Sequence, residues 1–163
     1  MAHTNPAAPV ALDTETTDLN PFKAQLVGVG LAWGTGLEEL AYIPIGQPLP
    51  LEEVLAALAP WLASASHPKA LQNAKYDRLV LLRHGLPLKG VVMDTLLADY
   101  LRDAGERHSL DELAQRHFGF KPTGFSDLVA KGENFASVPV DAAALYCGCL
   151  LYTSDAADEG LGV

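Results

Sequence analysis

The stretch P-V-A-L-D-T-E-T-T-D-L, residues 9–19, decides how the rest of the chain is read. Its apolar opening, residues 9–13, predicts a short strand that ends in an acid. Asp13 and Glu15 stand two apart, and side chains two apart on a strand share one face. Two carboxylates held side by side repel each other, and the pair becomes favourable when a divalent cation lies between them. A solvated strand end would also accommodate a lone D-x-E, so the pair has to be weighed with its surroundings.

Outward from this stretch, residues 25–33 (QLVGVGLAW) and 39–45 (ELAYIPI) predict two more strands, joined by a turn at Gly34 to Gly36. Three closely spaced strands suggest an antiparallel meander. The apolar period then changes to a helical one over residues 51–63, behind Pro50. Residues 69–72 predict a short strand, residues 75–84 a helix stopped by Gly85, and residues 90–94 an apolar strand ending in Asp94. Further helices are expected at 95–102, at 109–118 with Ser109 as N-cap and Gly119 as stop, and from Pro139 onward. Strands followed by alternating helix and strand describe an α/β fold, a mixed sheet flanked by helices.

Composition narrows the function classes. Of 163 residues, 49% are hydrophobic and 19% charged, the balance of one globular domain with a core. No apolar run approaches the roughly 18 residues needed to span a bilayer, and the N-terminus has no signal-peptide pattern. No membrane association and a cytoplasmic location are therefore expected. The net charge is −9, with 11 Lys and Arg against 20 Asp and Glu. This argues against nucleic-acid binding through a basic stripe, but not against an enzyme that meets phosphate through cations held by carboxylates.

A second acidic motif is Q-N-A-K-Y-D, residues 72–77, which places Asp77 in the first turn of a helix, where the dipole favours an anion. Asn73 either caps that helix or touches a ligand. Asp94, before Thr95, fits an N-cap. His3, His67, His84, His108 and His117 show no ligand spacing and are read as surface or packing residues. Cys147 and Cys149 are too close for an ordinary disulfide and too few for a zinc site.

D-T-E-T on the first strand, followed by N-x-x-Y-D opening a helix, resembles exonuclease motifs I and II of the DEDD superfamily, within the ribonuclease H-like fold. L-Q-N-A-K-Y-D-R-L-V-L-L-R-H-G, V-V-M-D-T-L-L-A-D-Y-L, R-H-S-L-D-E-L-A and F-S-D-L-V-A-K-G resemble, in that order, the exonuclease domain of bacterial family A DNA polymerases. The resemblance covers roughly residues 10 to 148. It implies a 3'→5' proofreading exonuclease of the DEDDy subgroup that uses two divalent ions, magnesium or manganese, with zinc an option at one site. Asp13 would bridge the ions, Glu15 would help hold the nucleophile's ion, and Asp77 would hold the second through water.

By the same resemblance, A-A-L-Y-C-G begins motif III, and Tyr146 would orient the attacking water; otherwise Tyr146 is a packing aromatic. The implied partner is a single-stranded or frayed 3' end of DNA. Leu19 and Phe125 would be apolar wedges against the terminal bases. Thr14, Thr16, Gln72, Asn73, Tyr76 and Arg107 would line the cleft, although core packing or solvation explains each of these equally well. A polymerase domain of the same natural chain and a monomeric state complete the expectation. Two other readings remain open: an exonuclease-like scaffold or strand-end binder without catalysis, and a ribonuclease D-like RNA exonuclease.

The sequence departs from the family four residues after Tyr146, where Leu150 stands in place of the last aspartate. Asp155 and Asp141 are expected to face elsewhere on the helix. From Cys149 the chain reads C-L-L-Y-T-S-D-A-A-D-E-G-L-G-V, and its first eleven residues resemble a transposase-based sequencing adapter translated in one frame. The expectation is an exonuclease domain at 1–148, its last helix cut to barely three turns, followed by a non-native tail at 149–163.

Overall fold

The computed structural model describes residues 8–34, 36–46 and 48–160, and the side chains of all of these except residues 37 and 152–160. The expectations at His3, at the middle of the 34–36 turn and for the facing of Asp155 lie outside the described residues.

Five strands form one mixed sheet in the order β3-β2-β1-β4-β5. Strand β1 (Val10–Thr16) pairs antiparallel with β2 (Leu26–Ala32), which pairs antiparallel with β3 (Leu40–Pro44). On its other edge β1 runs parallel to β4 (Lys69–Leu71), and β4 runs parallel to β5 (Val91–Asp94). The meander plus parallel strands is the sheet expected from the spacing. One difference bears on function. Strand β1 does not stop at its first acid, because β2 continues to pair with it as far as Thr16, setting Glu15 opposite Gly28. Both carboxylates therefore lie inside the central strand.

The two faces of that strand serve different layers, as the period of two requires. Val10 and Leu12 join the larger core, with Val54, Leu58 and Leu62 of helix α1 (Leu51–Leu62) and Val80 and Leu81 of helix α2 (Ala74–Arg83). Ala11, with Ala32, faces helix α6 (Val140–Gly160) and packs on Cys147 and Leu151. Helix α6 is not cut at three turns. Its 21 residues cross the 148/149 point unbroken, and Leu151 is fully buried. Leu151 packs there with Ala11 and Ala32 and lies over Gly30 of the sheet below.

Helices α3 (Thr95–Arg102), α4 (Leu110–Phe118) and the single turn α5 (Phe125–Leu128) complete the second layer. Ser109 caps α4 through the Glu112 N–H, and Gly119 ends it in a left-handed conformation, both as expected. Of the two roles left open for Asn73, side-chain capping of α2 is not taken. That residue sits at the N-cap position at φ 61° without a side-chain cap bond. Asp94 takes the role, accepting from the N–H groups of Asn73 (3.0 Å) and Ala74 (2.9 Å) while also capping its own helix α3 through Leu96 (3.1 Å).

Asp99, on α3, is buried and binds α4. His108 Nδ1 lies 2.7 Å from its carboxylate, and Arg116 donates to both oxygens at 2.8 and 3.0 Å. Burial alone would raise the Asp99 carboxyl, but the bonds from His108 and Arg116 outweigh it and hold the group below its ordinary range. Asp99→Ala should cost about 2–3 kcal/mol, the range for charge-assisted bonds, read by urea unfolding at neutral pH. A depressed folded-state pKa contributes stability above the unfolded carboxyl's pKa and loses it as pH falls through the folded value. The difference between wild type and variant should therefore vanish in strong acid. Among the described residues, no helix is long and apolar enough to cross a membrane.

Candidate active site

A cleft of about 560 Å³ opens beside the carboxyl half of β1 and the start of α2. Asp13, Glu15 and Asp77 line it, together with Asp18 and Glu133, and no lysine or arginine lines it among the described residues. Thr14 joins the two acidic motifs: its N–H (3.2 Å) and its hydroxyl (2.7 Å) both donate to Asp77 Oδ1. The sequence-separated acids are thus brought together by the residue between the first two of them.

The electrostatics are those of anions pressed together and partly dried. Desolvation raises Asp13 to about 6, against a lowering bond from the Thr14 backbone. Desolvation, then the charges of Asp13 and Asp77, raise Glu15 to about 9. Desolvation and Asp13 raise Asp77 to about 8, with Thr14 opposing. Glu15 Oε1 is buried and has no hydrogen-bond partner. A buried acceptor without a donor is costly, and this one lies among acids that already resist ionising. The donor set therefore fits hard divalent cations, which take oxygen ligands and reverse the sign of the local field.

Tyr146, from α6, lines the cleft with its ring 5.7 Å from that of Phe135. Desolvation, then Glu15 and Asp13, push its hydroxyl upward, so it keeps its proton. Leu19 is 93% exposed and Phe125 48% exposed at the cleft wall, Phe125 stacked on Phe135 at 6.3 Å. Thr16 and Tyr76 also line the cleft but hold each other at 2.5 Å, and Tyr76 donates to the Asp18 carbonyl at 2.5 Å. Gln72 reaches the cleft with its amide engaged: it donates to the His108 carbonyl at 2.8 Å and accepts from Thr95. Asn73 lines the cleft from its left-handed position.

Arg107 is not brought to the site. Its carbonyl accepts from Arg116 at 2.6 Å, and its side chain, 88% exposed, lies 4.0 Å from Glu112. Of the residues that line or border the cleft, Thr17, Asp18, Glu133, Asn134, Cys147 and Tyr42 escaped the sequence reading. Glu133 and Asn134 come from an irregular loop with no periodic signal. Cys147 brings its sulfur within 4.8 Å of ligand atoms of Asp13 and Glu15, and Tyr42 stands against Gly28. A signal for these two was present: Gly28 and Gly30 alternate inside a strand, which marks close approach by something else. A Cβ on Gly30 would meet Cys147 Sγ at 2.1 Å, and one on Gly28 would meet the Tyr42 hydroxyl at 2.2 Å.

Fold and acidic cleft define a ribonuclease H-like exonuclease domain. The family described as 3'-5' exonuclease matches residues 1–149. DNA polymerase I of Synechocystis sp. is 42% identical over 158 residues, covering 93% of this chain and 16% of that protein. DNA polymerase I of Chloroflexus aurantiacus is 37% identical over 153 residues, covering 88% and 16%. The chain belongs to the 3'-5' exonuclease domain family of DNA polymerase I, and it spans about a sixth of the length of these relatives, 16% in each case.

Among solved structures, the POL domain of Pol1 from M. smegmatis in complex with DNA primer-template and dNTP aligns at TM-score 0.64 and 28% identity, over 94% of this chain and 24% of that one. Brucella melitensis NrnC with bound Mg2+ aligns at 0.70 and 22%, over 94% and 71%. Trypanosoma brucei RNase D aligns at 0.73 and 12%, over 96% and 58%. The last two share the fold.

Proposed function

We propose that this domain hydrolyses the 3'-terminal phosphodiester of a single-stranded or frayed DNA end, as the proofreading unit beside a polymerase domain of a longer natural chain. The observation that carries the reading is a cleft with five carboxylates, no basic side chain among the described residues, and a buried Glu15 oxygen left without a donor. Such a surface repels a phosphate unless cations intervene.

Asp13 and Glu15 would hold one divalent ion, with Asp13 shared, and Asp77 would hold the second. Magnesium or manganese suits this oxygen set. When bound, such a pair supplies charge stabilisation for the attacking and leaving oxygens. The chain's own groups do the rest. Thr14 fixes the Asp77 carboxylate. Tyr146, kept protonated, donates to and orients the attacking water. Leu19 and Phe125 present apolar faces to the terminal bases, contacts that tolerate any sequence. The exonuclease-like fold of an RNase D adds a second substrate class to test.

The test is shortening of a 5'-labelled DNA strand with magnesium or manganese, beside Asp13→Ala and beside a matched RNA strand. Stepwise loss from DNA that disappears in Asp13→Ala is expected. Shortening unaffected by Asp13→Ala, or confined to RNA, would overturn the proposal.

A further inference from the structure

We propose that the Cys147 thiol is a ligand of the cation held by Asp13 and Glu15, giving that position an affinity for thiophilic metals such as cadmium, cobalt and zinc. The inference rests on the reading that these carboxylates hold cations, and is independent of turnover.

The geometry carries it. One oxygen each from Asp13 and Glu15 and the sulfur of Cys147 lie within 4.8 Å of one another. A tetrahedral ion with metal–sulfur bonds near 2.3 Å and metal–oxygen bonds near 2.0–2.2 Å holds its ligands roughly 3.5 Å apart. Cys147 is fully buried, and Glu15, 7% exposed, has its Oε1 buried without a hydrogen-bond partner. A buried carboxylate oxygen without a donor is a second observation that points to a cation, independent of the cysteine.

The fold makes room for the sulfur. Gly30 lies opposite Asp13 in the sheet, and Cys147 Sγ occupies the space that a Cβ there would fill. Any other residue at position 30 would displace the thiol from the acids. Leu150 stands where the family resemblance places the last carboxylate, and the Cys147 thiol is a group on α6, within reach of Asp13 and Glu15, that can give a negative ligand. On binding, the S–H bond breaks, the proton goes to solvent, and the sulfur lone pair forms the bond to the ion.

The test is spectroscopic. The chain, stripped of metal and kept reduced with a phosphine, is titrated with Co2+ and, separately, with Cd2+ and Mn2+. The wild type should gain sulfur-to-metal charge-transfer absorption with one equivalent of Co2+. That band should persist in Cys149→Ser and disappear in Cys147→Ser and in Asp13→Asn, each checked for folding by circular dichroism. Cadmium's advantage over manganese should fall by roughly 10-fold or more in Cys147→Ser. Cobalt binding by the wild type without a sulfur band, or a band that survives Cys147→Ser, overturns the inference and leaves the carboxylate site standing. No cation binding by folded wild type overturns both.

Discussion

Leu150→Asp should tighten manganese binding and raise DNA shortening by about 100-fold or more, since even groups that merely orient a metal's ligands are worth 10–100-fold. Leu150 lines the main cleft, and also a smaller recess of about 200 Å³ with Asp13, Gln72, Asp111 and Tyr146. A carboxylate at 150 would therefore enter the acidic group, one helical turn from Tyr146. In the wild type the side chain there is apolar, so under the proposed function the ions would be held without a carboxylate from position 150. The variant should gain affinity in calorimetric titration and activity on a 5'-labelled strand together. Unchanged binding and unchanged shortening would mean that position 150 is not a ligand position. The proposal that residues 149–163 are a non-native tail would then lose its functional support. What favours it now is that the family match covers residues 1–149 and that the resemblance breaks at Cys149.

The second large effect is on stability. In chelator, the folded chain should lose stability as pH rises from about 5 to about 8.5, by at least about 3 kcal/mol. The folded-state values near 6, 9 and 8 for Asp13, Glu15 and Asp77 all lie above the ordinary carboxylate values of 3.8 and 4.5. Between those limits the unfolded chain has released protons that the folded chain retains. Stability therefore falls with rising pH, since its slope follows the excess of protons bound by the unfolded state. Each tenfold difference in proton affinity is worth about 1.4 kcal/mol. Excess manganese should flatten or invert the slope by binding the ionised form. Thermal or urea unfolding across this range, with and without metal, measures it. A stability that is level or rising with pH in chelator would refute the assignment of a strained acidic cluster. The Asp99 carboxyl, held below its ordinary range, titrates in a lower window.

Much of this was legible in the sequence because local chemistry wrote it there. The period of two in residues 25–33, the glycine stops at 85 and 119, and the Ser109 cap depend on near neighbours. Asp13 and Glu15 share a face for the same reason. What was missed depends on register. Nothing near position 147 says that its sulfur will rest over Gly30, and nothing near Asn73 says that Asp94 will cap the helix it begins. Arg107 was drawn to the site by resemblance, yet Arg116 anchors its backbone and its side chain runs into solvent. Helix α6 runs on past the point where the sequence kinship changes, and what holds it there, the burial of Leu151 on the sheet, is again a matter of register.

Asp94 never touches the cleft, yet its carboxylate fastens the first turns of two helices at once. One of those helices carries Asp77 in its opening turn. The active-site acid is thus moored at both ends of its setting, to Thr14 on the central strand and, through backbone amides, to the edge of the sheet. A lineage that kept every residue lining the cleft but changed this one distant acid would loosen Asp77 from its berth, and so disturb the acidic group while conserving its chemistry.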